Sequence, residues 1–242
     1  EGWVMVEGEP VSTGTFTVDG DGALSQTSFD LADVELESAT KFVLTIEPTV
    51  DPDPAPSAVK YLAGDFSDDV ATVNTDIVGE FSGSTGSFII ATPTTAATND
   101  DLSGVWFLDN GQTALDLPTL PEGWAYEGWA VVNGTPLSTG TFTDASMAAA
   151  AAPFSGTDNP RPPFPGEDFI NNAPDGITFP VDLSCMPIVI SIEPVPDNSS
   201  APFTLKPLSG SSPATGTTVG TSYNLGNNAA GFPMGSVTRN VE

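Results

Sequence analysis

The sequence predicts an all-β protein built from two tandem homologous domains, each an antiparallel β-sandwich-like fold. Three observations support this prediction. Short alternating or β-branched runs are separated by turn residues, and the 242 residues include 24 Gly and 23 Pro. Helical patterns are nearly missing along the chain. Two sequence blocks each occur twice in the same order, which indicates a duplicated domain.

The first block opens the chain. EGWVMVEGEPVSTGTFT at residues 1–17 and EGWAVVNGTPLSTGTFT at residues 127–143 share twelve of seventeen residues. In each copy an aromatic and β-branched run leads through a glycine turn to an alternating G-T-F-T strand. Four aromatic residues at matched positions are therefore predicted to belong to the repeat core: Trp3, Phe16, Trp129 and Phe142.

The second block carries a matched carboxylate. FVLTIEPTVDPDPAPSAVKYLAG (42–64) aligns with IVISIEPVPDNSSAPFTLKPLSG (188–210), and both copies contain Ile-Glu-Pro at a strand end. Glu47 and Glu193 could suggest the paired carboxylates of a glycosidase. Because duplication puts one of them in each domain, they need not share a cleft. We expect each to accept backbone hydrogen bonds and to belong to the repeat core.

The spacing of the blocks predicts the domain boundaries. The offset between copies grows from 126 to 146 residues, which indicates an insertion of about 20 residues in the second copy. We expect a first domain over 1–98 and a second over 99–242, with the insertion at about 145–180. The insertion begins with ASMAAAAAPF, the one candidate helix, which Pro153 would end. Its Pro- and Phe-rich remainder is expected to be an ordered loop over the second domain.

The two copies also differ at their start. GVWFLD, a strong strand pattern, stands before the second copy at residues 104–109, whereas the first copy opens the chain at Glu1. We therefore expect the first domain to lack its initial strand. Truncation is one explanation. The other is that a neighbouring molecule supplies the strand, which would build a head-to-tail filament. GSFIIATPT (86–94) and GFPMGSVTRN (231–240) are expected to be equivalent closing strands.

Composition restricts both partners and chemistry. With Lys+Arg 5 against Asp+Glu 32, the formal net charge is -27, so nucleic acid and anionic membrane surfaces are excluded as partners. The acidity could reflect a salty habitat or loosely held cations. The chain has no histidine, which excludes Ser-His-Asp and Cys-His catalysis and His-ligated metals. The single cysteine, Cys185, is predicted to be a small buried apolar residue.

Clustered carboxylates make two turns candidates for calcium. Asp19 and Asp21 lie in VDGDG, and Asp51 and Asp53 lie in VDPDPAP. Oxygen-rich loops suit Ca²⁺. However, the first turn lacks the later ligand and glycine positions of an EF-hand, and a solvated acidic turn explains the same residues. No other cofactor is expected.

These motifs resemble the extracytoplasmic C-terminal domain of anti-sigma-K-type factors. In that family an aromatic strand leads to an A-G-T-F strand, and a T-L-E-P segment leads to a Gly/Pro-rich loop. The corresponding residues here are Trp3, Gly14–Phe16 and Ile46–Pro48, with Tyr126, Trp129, Gly140–Phe142 and Ile192–Pro194 in the second copy. The resemblance implies an outward-facing β-rich domain. The family's sigma-binding helical domain and membrane helix have no counterpart in the sequence.

Together these observations predict a non-enzymatic structural or interaction protein, exported to the bacterial cell surface or beyond. Its expected partners are copies of itself, joined head to tail by strand complementation. Two other functions fit the same sequence. One is the outer sensory domain of an anti-sigma-like regulator, and the other is a carbohydrate-binding module that uses exposed aromatic rings.

Overall fold

The computed structural model describes residues 1–32, 34–197 and 199–240. These residues form β-strands and two short 3-10 turns, Leu36–Ser38 and Ala229–Gly231, and contain no α-helix. No helix in this part of the chain has the length and apolar character needed to span a lipid bilayer. The all-β prediction is therefore confirmed.

The strands occupy most of the two repeat blocks and the segments between them. In chain order they are β1 (Gly2–Val6), β2 (Glu9–Gly14), β3 (Ala39–Thr45), β4 (Lys60–Ser67), β5 (Val70–Val73), β6 (Thr85–Ile90), β7 (Gly104–Trp106), β8 (Leu108–Asp109), β9 (Gln112–Thr113), β10 (Leu115–Asp116), β11 (Trp124–Val132), β12 (Thr135–Phe142), β13 (Gly166–Asp168), β14 (Ile188–Pro194), β15 (Leu208–Gly210), β16 (Ser222–Asn227) and β17 (Gly235–Thr238).

The chain packs as two compact units. Among the described residues, the first unit contains those of 1–79, 121–123 and 232–240, and the second contains those of 80–120 and 124–231. The first unit holds a six-stranded antiparallel sheet in the order β17-β5-β4-β3-β1-β2. Its core consists of Val4, Ala39, Phe42, Ala71 and Val73, which lie on one face because strand residues alternate between faces.

The second unit holds a nine-stranded sheet in the order β12-β11-β14-β15-β16-β6-β7-β13, with β10 also paired to β6. The two ends of this order, β12 and β13, lie next to each other, so the sheet is a nearly closed barrel. The fully buried side chains of this unit include Phe88, Ile90, Trp106, Phe107, Trp129, Phe169, Ile188, Ile190, Ile192, Leu205 and Leu208.

The prediction of two homologous β-sandwiches is wrong. One unit is a single open sheet, and the other is a nearly closed barrel with three more strands. The repeat blocks predict strands, but they do not predict whether a second sheet packs on the first or whether one sheet closes into a barrel. The barrel closes because β7 and β10 extend the sheet beyond β6 and the insertion contributes β13.

The duplication is nevertheless visible in strand register. Trp3 lies opposite Val43 in the first sheet, and the equivalent Trp129 lies opposite Val189 in the second. Likewise β3 pairs with β4 as β14 pairs with β15. Five strands from each copy therefore share both order and register: β2-β1-β3-β4-β5 in the first sheet and β12-β11-β14-β15-β16 in the second.

The sixth strand of each copy is exchanged. The strand that follows β5 in sequence is β6, yet it pairs with β16 of the second unit. The strand that follows β16 is β17, yet it pairs with β5 of the first unit. The expected boundary at residue 98 describes the sequence duplication, whereas these two strands define how the chain packs.

The two exchanged strands dock in the same register. Gly235 and Ser236 lie opposite Val73 and Thr72, while Gly86 and Ser87 lie opposite Leu225 and Asn224. Pairing with β4 and β15 makes these partner residues equivalent in the two copies. The closing strands are thus equivalent, as expected, but each completes the sheet of the other copy.

The insertion contains no helix. Residues 145–154 form turns and irregular backbone, in contrast to the candidate helix. The backbone amide of Ala150 donates to the carbonyl of Thr141. Gly140 lies so close to Ala151 that a Cβ on residue 140 would collide with the Ala151 carbonyl oxygen. The small alanines therefore allow the segment to lie against β12, a packing that outweighs their helical preference.

Candidate functional site

A buried hydrogen-bond network surrounds the first matched carboxylate. The indole Nε1 of Trp3 donates to Thr45 Oγ1 at 2.8 Å, and the Thr45 hydroxyl in turn donates to Glu47. The backbone amide of Ser57 donates to the same Glu47 oxygen at 3.0 Å. Trp3 is buried and Glu47 is half-buried. Glu47 thereby ties the end of β3 to the loop that enters β4.

The second copy repeats this network around Glu193. Trp129 Nε1 donates to Ser191 Oγ at 2.7 Å, and Ser191 donates to Glu193. The backbone amide of Phe203 completes the set with a 2.9 Å bond to Glu193. Glu193 is fully buried, and that burial raises its pKa. The two matched glutamates belong to different units, and each accepts a backbone hydrogen bond.

A second matched carboxylate is buried in only one copy. Ser138 donates to Glu127 in the second unit, as Ser12 donates to Glu1 in the first. Glu127 is 5% exposed, and its Oε2 has no hydrogen-bond partner. Burial raises the pKa of Glu127 to about 7, and the nearby charge of Glu193 adds to this effect. The repeat contains this Glu-Ser pair in both copies, but the sequence did not predict that Glu127 is buried.

The insertion is held by two adjacent buried carboxylates. Asp168 accepts hydrogen bonds from the Thr94 amide at 2.8 Å, from the Thr94 hydroxyl and from Trp106 Nε1 at 2.7 Å. Ser155 donates to Glu167, whose pKa burial raises to about 7. Sequence analysis missed both residues, since E-D within a Pro-rich stretch suggests a solvated loop.

The aspartates considered for calcium lie in exposed turns. Asp19 accepts hydrogen bonds from the amides of Asp21 and Ala23, at 3.0 and 2.8 Å. Asp51 accepts from the amide of Asp53 at 2.9 Å. No group of three or more metal-binding side chains occurs in the described ranges. These carboxylates stabilise their own turns, and the structure does not gather them into one site.

The aromatic residues at the matched repeat positions are buried or half-buried. Trp3, Trp129 and Phe142 are buried, and Phe16 is half-buried against Phe29, with ring centroids 6.0 Å apart. Trp106 and Trp124 are buried as well, so all four tryptophans are enclosed. A tryptophan in this position has no face to offer a sugar ring.

Cys185 contradicts its predicted burial. The side chain is exposed, and the residue has a positive φ of 64° at a turn before β14. Its amide donates to Ser212 Oγ at 3.1 Å. The apolar run after the cysteine suggested a buried strand, but that strand starts only at Ile188.

The first sheet ends in two strands that each have one neighbour. Within the described residues β2 pairs only with β1, and β17 pairs only with β5. The equivalent strands of the second unit are covered, because β6 also pairs with β7 and β10, and β12 lies beside β13. The first unit therefore has two open edges of a kind that the second unit closes.

No described strand covers the outer side of β17. The amide of Arg239 donates to Asp69 at 3.0 Å, so odd-numbered positions of this strand are bonded to β5. Antiparallel ladders alternate, and the backbone groups of Ser236 and Thr238 therefore point away from β5. At β2 the edge contains Pro10, which has no amide hydrogen.

Arg239 anchors β17 in a cage of carbonyl groups. Its guanidinium lies 4.9 Å from the Phe66 ring centroid, and its side chain is only 13% exposed. It donates to four backbone carbonyls and one carboxylate: Leu36 (2.7 Å), Glu37 (3.1 Å), Ala39 (2.7 Å), Asp68 (2.8 Å) and Asp69 Oδ1 (3.3 Å). In a chain with five Lys and Arg residues, this is a built site for one arginine.

Comparisons of this chain with protein-family models, with curated proteins and with solved structures found no match.

Proposed function

We propose that this chain is a non-enzymatic structural protein that associates with copies of itself through the open edges of its first sheet. The observation that carries the proposal is the contrast between the two units. The ends of the second sheet meet each other and nearly close a barrel. The ends of the first sheet are β2 and β17. β2 is the repeat equivalent of β12, and β17 occupies the place that β6 has in the second sheet, but each lacks a second neighbour among the described strands.

Edge pairing between molecules would satisfy both ends at once. If β17 of one copy adds to β2 of the next, every molecule offers one donor edge and one acceptor edge. Such a heterologous contact does not close on itself, and it extends a continuous sheet through a filament. The strongly acidic surface opposes non-specific association, so the backbone pairing would have to provide the specificity.

The same proposal includes a location outside the bacterial cytoplasm and the absence of bond chemistry. The acidic surface and the single free cysteine are compatible with export. The carboxylates that duplication preserves are engaged in hydrogen bonds that hold strands and loops together. The resemblance to anti-sigma-K-type factors stays a prediction about the fold of an outward-facing domain.

Concentration-dependent self-association tests the proposal. Sedimentation velocity and negative-stain microscopy of the full chain should show species that grow with concentration and form linear assemblies. Ser236→Pro removes an outward-pointing amide without removing a bond to β5, so it should suppress assembly while the chain stays folded. Ser236→Ala is the matched control and should assemble as the parent does. A parent chain that stays monomeric at every concentration, or equal assembly by the proline variant, would overturn the proposal.

A further inference from the structure

The β5 edge and the carbonyl cage form one continuous recognition surface. β17 lies on this surface with Val237 directed towards the core opposite Ala71 and with Arg239 inside the cage. Backbone pairing fixes the register, the valine fills an apolar position, and the arginine reads the site by charge-assisted hydrogen bonds. These are the three components of strand-addition recognition of an extended peptide.

The strand on this surface comes from outside the repeat it completes. Residues 74–84 lead from β5 to β6 in the second unit, and residues 228–234 lead from β16 back to β17 in the first unit. The connection before β17 is exposed at Met234, which has 73% of its surface accessible. The first sheet is therefore completed by a strand whose attachment is a seven-residue connection rather than a hairpin turn.

We propose that residues 235–239 are an exchangeable donor strand, and that the β5 edge with its carbonyl cage binds this segment from a second copy of the chain. The donor and the acceptor are present in every copy, and the pairing is identical within and between molecules. Intramolecular docking dominates in dilute solution because of its high effective concentration. Exchange between molecules grows with protein concentration and produces strand-swapped dimers or longer chains.

Strand exchange is a different contact from the edge addition proposed above, and the two have in common only that the partner is a second copy of the chain. Edge addition uses the outer side of β17 while that strand remains docked on β5. Strand exchange instead requires β17 to leave its own sheet. The two processes can therefore be tested separately in the same protein.

Disulfide trapping between two full-length chains tests the exchange. Ser236 and Thr72 are a directly opposed pair, both exposed, and their position in the ladder is non-hydrogen-bonded, where Cβ atoms approach closely enough for a disulfide. One chain carries Thr72→Cys and the other Ser236→Cys, each with Cys185→Ser. After the mixture is unfolded and refolded together at high concentration, a disulfide-linked heterodimer is expected on a non-reducing gel.

Arg239→Ala, placed in one chain or the other, shows which chain donates the strand in the heterodimer. In the Thr72→Cys chain it weakens docking of that chain's own strand and should raise the heterodimer yield about tenfold. In the Ser236→Cys chain it weakens the donated strand and should lower the yield by a similar factor. Random surface collision would respond equally to either placement, and an equal response would overturn the proposal.

A single chain with both cysteines is the geometric control. It should close the disulfide internally at low concentration and keep β17 docked. Heterodimer missing from the mixture, while this control closes, would also overturn the proposal. The double-cysteine chain with its internal disulfide, in which β17 cannot leave β5, distinguishes edge addition from strand exchange. If edge addition alone is correct, it still assembles and no heterodimer forms. If exchange alone is correct, heterodimer forms and locking removes assembly.

Discussion

Replacing Glu127 with glutamine should make the protein more stable at pH 8 while leaving it little changed at pH 5. The carboxyl group is 5% exposed, it accepts a hydrogen bond from Ser138, and its Oε2 lacks a partner. Burial, reinforced by the charge of Glu193, raises its pKa from 4.5 to about 7. Glutamine has nearly the same shape and remains neutral at both pH values.

The direction of the effect follows from proton linkage. The folded protein holds the Glu127 proton more tightly than the unfolded chain does. The stabilisation is therefore fully present below about pH 4.5 and is lost as the pH rises to about 7. At 1.36 kcal/mol per pH unit, the displacement corresponds to about 3 kcal/mol at most. The hydrogen bond from Ser138 favours the charged carboxylate and offsets part of this cost, so we expect about 1–3 kcal/mol.

Urea unfolding followed by tryptophan fluorescence measures this difference. The free energy of unfolding of parent and Glu127→Gln is compared at pH 5 and pH 8. Asp21→Asn is the control, because it also removes one negative charge, but from an exposed turn. A gain at pH 8 that the control reproduces would assign the effect to net charge. Equal stability of Glu127→Gln and parent at pH 8 would refute the burial argument.

Three further substitutions test the hydrogen bonds and close contacts described above. Asp168→Ala removes the acceptor of the Trp106 indole and the Thr94 amide and should cost about 3–5 kcal/mol in urea unfolding, against less than about 1 kcal/mol for Asp158→Ala at an exposed site. Ser191→Ala leaves the Trp129 indole without its acceptor and should cost about 1–3 kcal/mol, with a changed near-UV circular dichroism spectrum. Gly140→Ala should lower the melting temperature more than the equivalent Gly14→Ala, although both positions have positive φ, because only at Gly140 would the new Cβ meet a backbone carbonyl. The nearest atom at Gly14 is a Phe29 ring carbon at 3.4 Å.

Local sequence pattern predicted the strands and their repetition. Alternation and β-branched residues indicated β1, β2 and β3, and the matched blocks placed their equivalents in β11, β12 and β14. The burial of Trp3 and Trp129 was predicted from their matched positions in the repeat. Whether a segment forms a strand depends largely on the pattern of neighbouring residues in sequence, so the strands could be predicted from short sequence segments.

Pairing between distant strands could not be predicted in this way. The Gly-Ser pairs at the start of β6 and β17 indicate that the strands are equivalent, but do not say which sheet accepts them. Either choice leaves the alternation unchanged, and the decision depends on contacts more than 130 residues apart in sequence, such as Ser222 with Ile89.

The burial of charged residues was equally inaccessible from sequence. Glu167 and Asp168 looked like part of a solvated loop, and they are buried because β13 pairs with β7. The carbonyl cage around Arg239 gathers backbone groups from residues 36–39 and 68. Backbone carbonyls have no sequence signature, so a site built from them is visible only in the folded chain.

The reciprocal exchange of β6 and β17 also bears on how such a gene can evolve. A split at the duplication boundary would produce two polypeptides, each carrying the strand that the other requires. Neither product could lose its counterpart without leaving a sheet one strand short. The exchanged strands therefore make the completed sheet of each repeat depend on the presence of the other repeat.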